Sequence, residues 1–278
     1  VKLPTGFQPR HSIGFLSRRA VTGLEAVGPF WYARGVRVPN PTWLVVQFEN
    51  GRMSATADPG GDPGTACRLA RRLFDLDLDR SQFLALARRD SVLGRLVRRL
   101  PERRRVLLLD PFEAAVRAVV GQLISVAAAT TVLTRVIDET GIPIGNHPGR
   151  VLFPSPERLA DATARLARCG LTAAKARAIV ALARHTADRP MLWSNLTANP
   201  AGIDEALGGL PGIGPWTRDY IRYRGLADPD AFLSGDLGVV KAMAALGISA
   251  LRIEATADRW RPWRALAVPL LWASLEPA

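Results

Sequence analysis

Leu210-Pro211-Gly212-Ile213-Gly214-Pro215-Trp216 is the stretch on which the reading of this 278-residue chain turns. Two glycines one residue apart, flanked by prolines, predict a tight backbone turn. Pro215 sits where the first turn of a helix tolerates proline. Such a turn aims backbone N–H groups at one point beside a helix N-terminus and grips an anion without any charged side chain. Gly212, Gly214 and Thr217 can offer N–H groups for this, whereas Pro215 has none. A bare Gly-X-Gly also fits a plain turn between two helices, so the full string carries the weight. Twenty residues beyond Trp216 stands Asp236, in Ser234-Gly235-Asp236, beside an apolar run. Taken alone, Asp236 reads as a helix N-cap. A phosphate grip followed by a lone acid points instead to chemistry on a nucleic acid.

Composition allows that reading. Lys+Arg number 37 against 25 Asp+Glu, a formal net charge of +12. All the basic groups except Lys2, Lys175 and Lys241 are arginines, whose forks match phosphate oxygens in two places at once. A GC-rich genome would also enrich arginine, so charge alone does not name the partner. At 48% hydrophobic residues the chain can bury a real core, divided among two or three small domains. No apolar run approaches the roughly 20 residues needed to span a bilayer. Val1-Lys2-Leu3-Pro4 lacks a secretory h-region, so a cytoplasmic location on bacterial DNA is expected. Cys67 and Cys169 lie far apart, and His11, His147 and His185 show no short ligand spacing. A zinc or iron–sulfur site is not expected, and both cysteines read as small buried hydrophobes.

Residues 12–60 read as β-rich. Val36-Arg37-Val38, Trp43–Phe48 and Met53–Ala57 are short runs, and Asn50-Gly51 between the last two predicts a two-residue hairpin. A helix follows from Thr65 to Leu76, with Leu69, Leu73 and Leu76 on one face. From Ser81 onward the periodicity is helical. Ser81 and Asp110 are N-cap candidates, and Asp110 with Glu113 has the spacing of a capping box ahead of a helix over 111–121. Further helices are expected near 125–139, 156–167, 172–187, 203–208, 215–225, 236–246, 250–258 and 261–275, with a loop over 141–154. The fold class is therefore mostly α with an N-terminal α+β domain built on an antiparallel sheet.

These residues resemble the helix–hairpin–helix DNA glycosylase superfamily, and within it bacterial 3-methyladenine DNA glycosylase II. The likeness extends beyond the hairpin. Gly14–Val21 and Arg72–Leu76 are similar to the family's N-terminal domain. Asp110–Glu113, Val116–Ala118 and Gly121-Gln122-Leu123 are similar to its central domain, and Arg259–Arg264 with Leu271-Trp272 to its final helix. The resemblance implies an N-terminal α+β domain over 1–87. It implies a central helical domain over 111–230, with the helix–hairpin–helix at about 203–224. A second helical domain would be built from 88–110 and 231–278. The implied partner is double-stranded DNA containing damaged bases, bound by a monomer.

The family releases a damaged base after rotating it out of the duplex. By position Asp236 is the acid that stabilises the sugar cation formed when the base departs. The resemblance puts Trp216, Tyr220, Trp272 and Phe15 around the base, where aromatic faces attract cationic alkylated purines. Any one of these aromatics also fits ordinary core packing. Leu237 adjoins the pocket where the family has an aromatic, which alters the pocket's shape. Leu123, after Gln122, matches the wedge that fills the gap left by the rotated base. Its other reading is a buried helix-end leucine. A structural sodium or potassium ion on the carbonyls of Gly208, Leu210 and Ile213 is also implied. No cofactor is required, and two cysteines cannot supply the iron–sulfur cluster found elsewhere in the superfamily.

Glycosylases that also nick the strand carry a lysine where this chain has Trp216, so a monofunctional enzyme is expected. The expected substrate class is alkylated purines of the 3-methyladenine and 7-methylguanine type. Two alternatives stay open: a glycosylase for deaminated or oxidised bases, and a helix–hairpin–helix DNA-binding protein without catalysis.

Overall fold

The computed structural model describes residues 1–37, 40–58, 60–145 and 147–276. It begins with helix α1 (Pro9–Ser17), where the alternation of the next segment had suggested strand. Pro9 starts the helix, and Ile13 and Leu16 bury its inner face. Strands β1 (Glu25–Gly28), β2 (Trp31–Val36), β3 (Thr42–Glu49) and β4 (Arg52–Asp58) form one antiparallel sheet in the order 1-2-3-4. Asn50 and Gly51 both adopt positive φ, and Glu49 pairs with Arg52, giving the two-residue hairpin expected from Asn-Gly. Of the expected run Val36-Arg37-Val38, only Val36 is strand; Arg37 follows the strand and Val38 lies outside the described residues.

Helix α2 (Pro63–Leu73) is capped by Asp62, whose side chain accepts from the N–H groups of Gly64 and Thr65. Next come α3 (Ser81–Arg89), α4 (Ser91–Arg99), α5 (Pro111–Gly121) and α6 (Val126–Thr140). Ser81 proves to be the first residue of α3 rather than its cap; the Asp79 carboxylate accepts from its N–H at 2.8 Å. The expected loop over 141–154 contains a small ribbon, β5 (Ile142–Pro143) with β6 (Val151–Leu152). The single helix expected over 156–167 is two, α7 (Pro156–Ala160) and α8 (Thr163–Arg168). Then follow α9 (Ala173–Ala187), α10 (Leu192–Ala198), α11 (Ile203–Leu207), α12 (Pro215–Arg224), α13 (Leu237–Ala245), α14 (Ile253–Asp258) and α15 (Val268–Ser274). Pro262 and Pro269 confine the last helix to its final turns, so it starts later than the periodicity suggested. No helix among the described residues is long and apolar enough to cross a membrane.

Four apolar clusters hold these elements, the smallest, of Ala33, Trp43, Ile144 and Leu152, seating the β5–β6 ribbon on the sheet. One lies under the sheet and α1–α2, with Tyr32, Leu44, Phe48 and Phe74 at its centre. A second joins α5, α6 and α7–α12 through Val116, Val119, Ile179, Leu182 and Ile221. The third gathers Phe232, Met243, Trp260 and Leu271 from the C-terminal helices with Phe83 and Ala87 of α3 and Leu93 of α4. Apolar packing thus groups α3 with the C-terminal helices, where a division between residues 87 and 88 had left it with the sheet. Helix α12 serves two clusters at once, Ile221 facing one and Tyr223 the other. Its N-terminal Trp216 therefore emerges at the seam.

Asp110 caps α5, accepting from the Phe112 N–H at 2.8 Å, but Glu113 does not complete a capping box. Its side chain is fully buried and pairs with Arg34 of β2 and, at 2.8 Å, with Arg117. Arg117 also reaches Glu25 of β1 at 2.8 Å, and Glu25 accepts from the Tyr32 hydroxyl at 2.5 Å. This buried ionic lattice ties the sheet to α5. Burial alone would lower the Arg34 guanidinium, yet Glu113 beside it holds it above its ordinary value.

Candidate active site

The hairpin joins α11 to α12. Gly212 has φ +75°, a conformation that favours glycine. A Cβ there would also stand 2.7 Å from the Cβ of Ala178 on α9. The Ile213 N–H is spent on the Leu210 carbonyl at 3.2 Å. The N–H groups of Gly212, Gly214, Trp216 and Thr217 enter no hydrogen bond among the described residues. Gly212 and Gly214 are exposed while Thr217 is buried, so the first two are the accessible donors at the start of α12, suited to an anion.

Asp236 caps α13, and the same carboxylate meets two tryptophans. Its Oδ1 accepts from the N–H of Gly238 at 3.0 Å, of Val239 at 3.1 Å, and from Nε1 of Trp272 at 2.9 Å. Its Oδ2 accepts from Nε1 of Trp216 at 3.3 Å. Capping and cleft placement are therefore properties of one side chain. Gly238 makes this close approach feasible. A Cβ there would stand 2.9 Å from Cδ1 and 3.1 Å from Nε1 of Trp272, and 3.1 Å from Oδ1 of Asp236.

Asp236, Gly238, Trp216, Tyr220, Trp272 and Phe15 line one open cleft of about 430 Å³. Trp216 and Tyr220 lie 5.5 Å apart with rings tilted by 36°. Phe15 stacks on Trp272 at 6.1 Å, and Tyr223 meets Trp272 edge-on at 5.6 Å. Phe15 is not a bare aromatic platform: the Arg19 guanidinium carbon lies 3.8 Å from its ring centre and that of Arg224 4.9 Å. Burial first, and then the charge of Arg224, push the Arg19 guanidinium down to about 10. Neither arginine forms an ion pair among the described residues, and Nε of Arg224 is buried without a partner. Leu237, by contrast, is 67% exposed and outside the cleft lining; its neighbour Gly238 takes the lining position.

The loop between α5 and α6 lies beside the hairpin. Gln122 donates from Nε2 to the Gly212 carbonyl at 2.8 Å and to the Thr217 hydroxyl at 2.9 Å. Next to it Leu123 has φ +58° and is fully exposed, which excludes the buried-leucine reading. A large apolar side chain held out on a strained backbone has no packing role within this chain. Lys175 on α9 braces the loop, donating to the carbonyls of Val120 at 2.8 Å and Gln122 at 2.7 Å. Sequence reasoning assigned no part to Lys175, Gly238, Arg19 or Arg224. Arg19 did fall inside the Gly14–Val21 resemblance, the one signal that could have marked it.

The expected cation cradle is already engaged. The Ile213 carbonyl accepts from Nη1 of Arg218 at 2.9 Å, and the Leu210 carbonyl takes the Ile213 N–H. The same Nη1 lies 4.0 Å from where a Cβ on Gly208 would stand. The Ile213 oxygen thus has less capacity left for a metal ion. No group of three or more His, Cys, Asp or Glu among the described residues is arranged to hold a metal.

A model of the HhH-GPD superfamily of base excision DNA repair proteins matches residues 116–265, from α5 through the hairpin to beyond α14. The chain belongs to this superfamily. A Mycobacterium tuberculosis protein described as a probable bifunctional transcriptional activator/DNA repair enzyme AlkA is 35% identical over 288 residues, covering 99% of this chain. The chain spans about half of that relative, 56% of its length. DNA-3-methyladenine glycosylase 2 of Escherichia coli is 32% identical over 269 residues, covering 94% of this chain and 91% of the relative. Among solved structures, a 3-methyladenine DNA-glycosylase from Archaeoglobus fulgidus superposes with a TM-score of 0.85 at 20% identity, over 98% of this chain and 96% of that one. An 8-oxoguanine glycosylase/lyase from Clostridium acetobutylicum gives 0.74 at 17% identity, over 96% and 92%. These two likenesses concern the fold. It is the expected one, mostly helical HhH-GPD architecture with an N-terminal antiparallel sheet.

Proposed function

We propose that this HhH-GPD protein is a monofunctional DNA glycosylase that releases alkylated purines from double-stranded DNA and so initiates base excision repair. One observation carries the reading: a carboxylate, Asp236, held by the indole N–H groups of Trp216 and Trp272 at the edge of an aromatic cleft. The relatives named for 3-methyladenine release support the choice of lesion. The free N–H array of the hairpin takes a backbone phosphate, and Leu123 enters the duplex where the damaged nucleotide has left the stack. The base lies against Trp216, Tyr220 and Trp272, with Phe15 behind. The C1′–N bond then breaks, its electron pair departing with the base. An alkylated purine, positively charged in the nucleotide, leaves neutral. Asp236 stabilises the oxocarbenium ion left on the sugar. Water adds its oxygen to C1′ and yields a proton to solvent, assisted by the same carboxylate. The protein acts as a monomer on DNA in the bacterial cytoplasm.

Trp216 occupies the hairpin position expected for a Schiff-base lysine, and Lys175 is engaged with the wedge loop. We therefore expect no strand nicking, and borohydride should trap no covalent adduct. Incubation with duplexes holding single 7-methylguanine or 3-methyladenine residues should liberate the free methylpurine. Asp236→Asn should lower single-turnover release by on the order of 100-fold or more while duplex affinity stays equal or rises. Normal turnover in Asp236→Asn would remove the acid from its assigned role.

A second reading, release of deaminated or oxidised bases, is favoured by Arg19 and Arg224. Two guanidiniums without carboxylate partners can donate to the carbonyl edge of a neutral base and stabilise the charge it carries away. A panel of single-lesion duplexes separates the two: preference for the alkylated members supports the first, preference for oxopurines the second.

A further inference from the structure

Besides its unbonded N–H groups, the hairpin carries the carbonyls of Gly208, Leu210 and Ile213, the expected cation ligands. Arg218 comes from the first turns of α12 and folds back onto the Ile213 carbonyl. Its Nη1 donates to the Ile213 carbonyl at 2.9 Å. Nη1 also comes within 4.0 Å of where a Cβ on Gly208 would stand. Its Nε donates to the Asp204 carboxylate of α11 at 2.5 Å, so the guanidinium is tied to both helices flanking the turn. Nη2 makes no hydrogen bond among the described residues. The side chain keeps 18% of its exposure, so it remains within reach of a ligand on the hairpin.

The Ile213 oxygen that Nη1 engages has less capacity left for a metal, and the guanidinium occupies the approach to it. A guanidinium is charged at every accessible pH and presents its donors in a fixed plane. It therefore satisfies the Ile213 carbonyl and, its charge balanced by Asp204, keeps a free Nη2 that can donate to a bound phosphate. We propose that the guanidinium of Arg218 replaces a monovalent metal ion at this hairpin, so that the chain grips a DNA phosphate with a cation of its own. This rests on the hairpin holding DNA but not on which base, if any, is excised.

The test is the affinity of the full chain for a short undamaged duplex, measured by fluorescence anisotropy. Potassium, sodium and tetramethylammonium chlorides are compared at one ionic strength. The wild-type dissociation constant should agree within twofold across the three salts. Arg218→Ala should bind about tenfold more weakly in tetramethylammonium and recover part of the loss in potassium or sodium, as the carbonyls become free for a metal. Arg218→Lys should fall between the two. The thermal midpoint, read in the same salts without DNA, should be salt-independent for the wild type and raised by potassium or sodium for Arg218→Ala. A wild-type affinity that drops fivefold or more in tetramethylammonium would overturn the proposal, as would an Arg218→Ala variant that stays indifferent to the cation. If Arg218→Ala does not fold, the wild-type comparison decides alone. Failure to bind duplex in any salt would instead sink the proposed function.

Discussion

Asp236 serves the backbone and the cleft through the same two oxygens, and Gly238 is the residue that permits it. A methyl group on Gly238 would press on Trp272 at 2.9 Å, and the indole must swing away from the carboxylate. Gly238→Ala should therefore slow single-turnover base release by about 10- to 100-fold, the usual cost of displacing a positioned group by a fraction of an ångström to one ångström. Duplex affinity should hold, because the hairpin is untouched. Stopped single-turnover assays beside anisotropy titrations check this, and equal loss in both would assign Gly238 to folding instead. The placement of Asp236 beside Trp216 was legible because the acid follows the hairpin at a family spacing. Gly238 was not, since its neighbour Trp272 lies far along the chain and no local pattern announces a missing Cβ. Arg19 and Arg224 escaped for the same reason: their meeting over Phe15 joins α1 to α12.

At the scale of elements, the hairpin was readable because its chemistry is local. Gly212 takes a left-handed turn, and Pro215 opens the next helix. Gly212→Ala should cost about 1–2 kcal/mol from backbone strain, with contact against Ala178 adding to it. It should also weaken duplex binding by disturbing the N–H array. Urea unfolding and anisotropy measure the two effects separately. The sheet was less legible than the hairpin: Asn50-Gly51 marked one turn, but α1 hid under a segment read as strand. Its amphipathic face is only two turns long, and Pro9 was its main signal. Helix α12 also carries a liability. Burial pushes the Asp219 carboxyl up to about 6, with Arg222 at 3.8 Å only partly offsetting this. Because the folded state holds its proton more tightly than the unfolded state, stability falls as pH rises from about 4 through 6. Asp219→Asn should therefore raise the melting temperature at pH 7.5, with the gain shrinking toward pH 4. A gain that grows on acidification would refute the sign.

At the scale of the whole molecule, a buried ionic cluster is one of the polar links between the sheet and the helices. Glu113 links Arg34 on the sheet with Arg117 on its own helix, and all three side chains are nearly sealed from water. Glu113→Ala leaves two buried cations short of an anion. Loss of one member of a buried pair costs about 3–5 kcal/mol, so the variant should unfold at markedly lower urea, or fail to fold. A loss below about 1 kcal/mol would show that the Glu113 pairs do not carry the joint between sheet and helices. The sequence pattern suggested a capping box at Glu113, and only the approach of β2 reveals the stronger partner. Sequence periodicity likewise missed that α3 belongs with the C-terminal helices, because a chain that leaves a core and returns to it shows no seam in its local pattern.

Gln122 bonds both the Gly212 carbonyl and the Thr217 hydroxyl, while Lys175 pins the backbone on either side of Gly121. Probe and clamp therefore share a strut. If Leu123 enters a duplex as proposed, any displacement of its loop is carried through Gln122 to the hairpin, so the two contacts with the strand move together.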